Sequence, residues 1–207
     1  GDGRDEKMII NKIYRISLLK QIFFMPFLAL FLGCASKIVV KKDDSKHDPW
    51  VQYSGLEGPG KGNHIVFVTA DQEYRAEEGM PQMAKILSKR HGFKCTVLFP
   101  IDKKTGVIDP EELNNIPSLE FLDSADLMVL FTRRIELPDE QMKYIVDFTN
   151  SGKPIIGLRT ANHPFQYDKN TTSKYAKYSG PFGYTDNSFT GGYGRQVFGE
   201  TWVAHYG

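Results

Sequence analysis

The residues with the most chemical content lie in GLRTANHPF, from Gly157 to Phe165, directly after the apolar run Pro154 to Ile156. That placement puts Arg159 where a strand turns sharply into the next element, the position of the raised side chain in a nucleophile elbow of the G-x-C-x-G or G-x-S-x-G type. An arginine has N–H donors and no lone pair for attack, so at this point it orients or stabilises a ligand and cannot be a nucleophile. A second cluster, Asp71, Glu73 and Arg75 in DQEYRAEE, follows the strand-like HIVFVTA; Arg133 and Arg134 follow DLMVLFT; and Asn162 and His163 accompany Arg159. Carboxylates, guanidiniums and imidazoles at one edge suit a polyhydroxylated ligand, because a sugar hydroxyl can donate to a carboxylate and accept from an arginine. The same groups can equally form an ion-pair network that fixes loops.

The elements that must position these groups read as alternating strands and helices. His64 to Ala70 is a short β-branched and aromatic run without helical period, expected as a strand buried on both faces. A helix follows, with Glu77 and Glu78 near its start, Met80, Met83, Ala84, Leu87 and His91 on one face, and Gly92 at its end. Lys94–Phe99, Asp126–Thr132 and Pro154–Leu158 are the next strands, with helix expected from Glu111 to Leu122 and again from Pro138, where Met142, Ile145, Val146 and Thr149 share a stripe ending at Gly152. This order predicts a parallel, doubly wound sheet covered on both faces, and such sheets bind ligands at the carboxyl ends of their strands. The segment from Gln166 to Gly194, rich in Tyr, Gly, Ser, Thr and Asn, reads as a long loop.

Three blocks in order, DQEYRAEE, GLRTANHPF and GGYGRQVFGETWVAHYG, resemble the ThuA-like (trehalose-utilisation) family over nearly everything from Tyr53 to Gly207. The resemblance implies an α/β, flavodoxin-like, three-layer fold of the class I glutamine amidotransferase-like type, without the amidotransferase nucleophile. It also implies that the C-terminal block folds back over the same edge, adding Arg195, Glu200 and His205. On this reading the domain binds and processes a carbohydrate of the trehalose or oxidised-disaccharide type. Glu73 or Asp71 would act as general acid or base, His163 or His205 would carry a proton, and Arg159 would steady developing negative charge. Asp71, Arg75, Arg133, Asn162 and Arg195 would bind the ligand. The competing expectation is a non-catalytic scaffold recognising glycan or protein, with Tyr167, Tyr175, Tyr178, Tyr184 and Tyr193 as stacking platforms. His163 and His205 could join Glu73 or Asp71 at a divalent metal, but no H-x-H or H-x-x-x-H spacing supports this, and no metal is assigned. Nor is a cofactor. Gly191, Gly192 and Gly194 are expected to make turns rather than an anion site.

The N-terminal third carries a different signal. After GDGRDEK, the residues Lys12, Arg15 and Lys20 lead into IFFMPFLALFLG and then Cys34. The apolar run, about a dozen residues, is shorter than the roughly 20 needed to span a bilayer. It resembles a bacterial lipoprotein signal over residues 1–33, with Cys34 the lipidated first residue of the mature chain and Phe31 in place of the usual leucine. A membrane-anchored protein of the cell envelope is expected. Residues 34–62, polar and glycine-rich, read as a flexible tether, and 63–207 as the domain, open-ended at Gly207 where chains of that family continue. Lys plus Arg number 26 against 25 Asp plus Glu, and the basic residues are scattered, which argues against a nucleic-acid partner. The other cysteine, Cys95, sits in the strand-like KCTVLF as a small buried hydrophobe.

Overall fold

HIVFVTA forms the centre of the sheet. In the computed structural model, which describes residues 48–180 and 187–205, β2 (His64–Ala70) is buried along its whole length, as a strand with both faces covered must be. Around it lie β1 (Trp50–Tyr53), β3 (Lys94–Leu98), β4 (Leu127–Thr132) and β5 (Ile155–Gly157), in the spatial order β1-β3-β2-β4-β5. The pairs β2/β3, β2/β4 and β4/β5 are parallel, whereas β1 runs antiparallel to β3, so the sheet is mixed rather than wholly parallel. The described residues all belong to the compact unit His47–Gly207, and residues 1–33, Cys34 and Tyr184 lie outside them.

Strand alternation sorts the core into two layers. Ile65, Phe67, Cys95, Val97 and Val129 face α1 (Ala76–His91) with its Ala76, Met80 and Ala84. Val66, Val68, Leu98, Met128 and Leu130 face α2 (Asp139–Asn150) with its Met142, Ile145 and Val146. The result is a three-layer α/β arrangement. Two helix faces differ from the expected ones. On α1 the buried stripe is Ala76, Met80, Ala84 and Ser88, while Met83 and His91 are exposed. Ser88 is buried because its hydroxyl donates to Ser54 O at 2.7 Å. On α2, Phe148 takes the place expected for Thr149, whose hydroxyl instead meets the Tyr193 hydroxyl at 2.7 Å.

Three further expectations are corrected. The tether ends earlier than residue 62: Trp50–Tyr53 pair with β3, and the glycines after them serve close approach rather than flexibility. A Cβ at Gly55 would lie 2.0 Å from Gly92 O, and Gly60 N donates to His91 O at 2.8 Å, so this segment is packed on the turn between α1 and β3. The helix expected over Glu111–Leu122 reduces to a 3₁₀ turn at Leu119–Ser124. Pro117 removes a donor, Asn115 Nδ2 bonds Ile101 O, and Ile116 N bonds Gln141 Oε1, so the backbone is committed elsewhere. The tyrosine-rich segment is no loose loop either: Tyr167, Tyr175, Tyr178 and Tyr193 are buried in the α2-side core, joined by edge contacts such as Phe165–Tyr193 at 5.1 Å.

Candidate functional site

The carboxyl ends of β2, β4 and β5 meet on one side of the sheet, and each leaves through a tight turn. Asp71, directly after β2, is buried. Its Oδ1 accepts from the backbone N–H groups of Glu73 (2.8 Å) and Tyr74 (2.6 Å), shaping the loop into α1, and its Oδ2 accepts from the Thr160 hydroxyl after β5. Asp71 thereby ties two loops together. After β4, Arg133 N donates to Ala70 O at 2.9 Å and Arg134 N to His163 O at 3.1 Å. After β5 the chain enters a 3₁₀ turn, Arg159–Asn162, with Arg159 itself in the left-handed region at φ 48°. The sharp turn at Arg159 is therefore real, and its backbone is of a kind that non-glycine residues seldom adopt. Arg134, also at φ 48°, and Arg75, at φ 52°, share it.

These turns enclose a cleft of about 330 Å³. Glu73 and Arg133, which line it, form an ion pair of 2.6 Å. Arg159 lies over the Tyr74 ring, 4.1 Å from its centroid, and Arg134 lies 5.9 Å from the centroid of Trp202. Trp202 also faces His163, at 6.1 Å between centroids, and His205, at 5.3 Å. The C-terminal block reaches this position because Gly194 lets the backbones touch: a Cβ there would sit 2.0 Å from Asn162 O. His163 is buried, and its Nδ1 lies 2.5 Å from Asn162 Oδ1. Burial, with the charges of Arg134 and Arg133 adding to it, pulls the His163 pKa down to about 4. The imidazole is thus neutral at pH 7. With Nδ1–H donating to Asn162, Nε2 carries the lone pair, fit to accept a hydrogen bond from a hydroxyl.

Beyond the Glu73–Arg133 pair a second, larger cleft of about 690 Å³ continues along the edge, sharing Glu73, Arg133 and Arg134 with the first. Its far wall is the turn 168–170, held by Glu136, whose carboxylate accepts from the backbone N–H of Asp168 (3.3 Å), Lys169 (3.2 Å) and Asn170 (2.5 Å).

Of the residues expected in the site, Glu73, Arg133, Arg134, Arg159, Asn162, His163 and His205 line one cleft. Asp71, Arg75, Arg195 and Glu200 do not. Asp71 lies beneath the cleft, its oxygens committed to the loops. Arg75 turns away to pair with Glu78 and, at 3.9 Å, with Glu77. Arg195 points outward, to Gly199 O at 3.3 Å and Glu200 at 3.7 Å. Among the described residues Arg159 takes no part in the ion-pair network that the sequence also allowed, and has the ring of Tyr74 as its neighbour. Tyr74, Thr160 and Trp202 had no assigned role in the sequence reading. The first two sit beside assigned residues, and Trp202, three positions before His205, stands out only once an aromatic wall is sought. Among the described residues no group of three or more His, Cys, Asp or Glu side chains is placed to hold a metal ion. Cys95 is buried in β3, where burial pushes its thiol up to about 11, and it is absent from the cleft lining.

Fold and site together describe a three-layer α/β domain with a charged, aromatic-walled cleft at the carboxyl edge of its parallel strands. Comparison of the chain with protein-family models, with curated proteins and with solved structures finds no match.

Proposed function

We propose that the chain is a ThuA-like domain of the flavodoxin-like, class I glutamine amidotransferase-like fold, which binds and processes a carbohydrate of the trehalose or oxidised-disaccharide type. On this reading it is held at the bacterial envelope by a lipid on Cys34. The order β3-β2-β4-β5 of the parallel strands and the left-handed turn at Arg159 support the fold assignment. The observation that carries the function is the composition of the 330 Å³ cleft: an ion pair, two guanidinium–aromatic stacks and a neutral imidazole. Sugars are bound by such mixtures, rings against aromatic faces and hydroxyls to fork-shaped donors and carboxylate acceptors. Glu73 would exchange a proton with the bound sugar, Arg159 would stabilise negative charge developing on a sugar oxygen, and the exposed His205 would pass protons to solvent.

A non-catalytic glycan-binding role is favoured by one observation: His163, shifted to about 4, is a weak base at neutral pH, so turnover would rest on Glu73 and His205. The buried tyrosines 167, 175, 178 and 193 give the platform version of that role no support. The experiment is a titration of the full chain with trehalose and its oxidised derivative, read by Trp202 fluorescence with Trp202→Phe as the blank, followed by product analysis. Saturable binding with a new product supports the enzyme, and binding without product supports the scaffold. No response to any sugar would overturn both.

A further inference from the structure

The cleft is cationic. Three guanidiniums, Arg133, Arg134 and Arg159, line it against the single carboxylate of Glu73. That carboxylate is engaged by Arg133 at 2.6 Å, and the nearby Asp71 is closed off by Thr160 and two backbone N–H groups. Arg159 makes no ion pair among the described residues. Tyr74 covers one face of its guanidinium at 4.1 Å, leaving in-plane N–H donors for a ligand, the geometry that suits a carboxylate or phosphate. The backbone points the same way. Arg134 and Arg159, both at φ 48°, hold conformations uncommon outside glycine, and such outliers gather where a side chain must be presented. Burial is the main cause of the lowered basicity of His163, and the charges of Arg134 and Arg133 add to it.

We propose that the sugar bound in this cleft carries an oxyanion, a carboxylate or a phosphate ester, gripped by Arg159 within the field of Arg133 and Arg134. This rests on the carbohydrate reading and narrows it to acidic sugars. The volume of about 330 Å³ lies at the low end for small-molecule sites and fits one such ring, with Tyr74 and Trp202 at its sides.

The test compares glucuronate, glucose 6-phosphate, glucose, acetate and inorganic phosphate on the full chain by Trp202 fluorescence. At least one acidic sugar is expected to bind about tenfold or more tightly than glucose, as charge-assisted pairing implies, and to weaken as NaCl is raised. Which of the two acids wins distinguishes carboxylate from phosphate. Arg159→Asn, which tolerates the left-handed backbone, should bring the acidic sugar down to the level of glucose, and Arg159→Lys should restore part of the gap. Melting curves of both variants check that the fold is intact. Equal affinity for glucose and both acids would overturn the inference and leave the carbohydrate reading standing. Acetate or phosphate binding as tightly as the sugar acids would overturn the claim that a sugar is held. Failure of all three sugars while trehalose or its oxidised derivative binds would overturn the inference alone, and failure of those disaccharides as well would overturn the carbohydrate reading itself.

Discussion

Thr160→Val tests whether the two loops of the site are held by the Asp71–Thr160 bond. The carboxylate of Asp71 is 1% exposed and accepts three hydrogen bonds, two at Oδ1 from backbone and one at Oδ2 from the Thr160 hydroxyl. Valine keeps the shape of threonine and removes only the donor, so Oδ2 is left in a dry site without that partner. Losing a hydrogen bond to a buried charged acceptor costs about 2 kcal/mol. For a chain of this size each kcal/mol moves the melting temperature by roughly 2–4 °C, so a drop of about 6 °C is expected. Urea unfolding should show a lower midpoint at unchanged m-value. Thr160→Ser, which keeps the hydroxyl, should recover most of the loss. Because Thr160 also lines the cleft, the valine variant should weaken sugar binding by letting the Arg159 turn drift from the Glu73 loop. A Thr160→Val protein within about 0.5 kcal/mol of wild type would refute the reasoning, since surface-like tolerance is incompatible with a buried carboxylate that depends on this donor.

Further outcomes concern His163 and the two cysteines. The Cε1 proton of His163 should titrate near pH 4 by NMR rather than near 6.5, the ordinary value for histidine. Since its folded pKa is depressed, the unfolded chain takes up this proton first: the stability tied to neutral His163 is fully present above about pH 6.5 and is lost as the pH falls through about 4. His163→Gln should flatten that part of the pH–stability curve, and an unchanged slope would count against it. The cysteines should behave oppositely. Cys95, with its thiol pushed up to about 11 and buried, should resist alkylation in the native protein at pH 8 and react on unfolding, and the chain should release no ammonia from glutamine. Cys34→Ala should abolish partition into membranes; a wild-type chain that stays wholly in the aqueous phase would sink the lipid anchor.

The strands and helices that place the site were legible in the sequence because their signals are local. HIVFVTA, KCTVL and LMVLFT are apolar runs that can be buried only on both faces, and α2 carries a 3.6-residue stripe closed by Gly152, found at φ 74°. The turn at Arg159 was equally local, an apolar run ending in Gly-Leu-Arg. What tertiary structure alone decided was which charge meets which. In the order β3-β2-β4-β5 the loop after β2 meets the loops after both β4 and β5: Glu73 pairs with Arg133, while Tyr74 and Asp71 of the same loop meet Arg159 and Thr160. No spacing along the chain encodes that choice, because long side chains pair with whatever the strand order sets beside them. The glycines of 55–62 and the tyrosines of 167–193 follow the same logic. Their composition resembles that of linkers and loops, and only the surfaces packed against them, the α1–β3 turn and the α2-side core, turn missing side chains into close approach and large rings into interior.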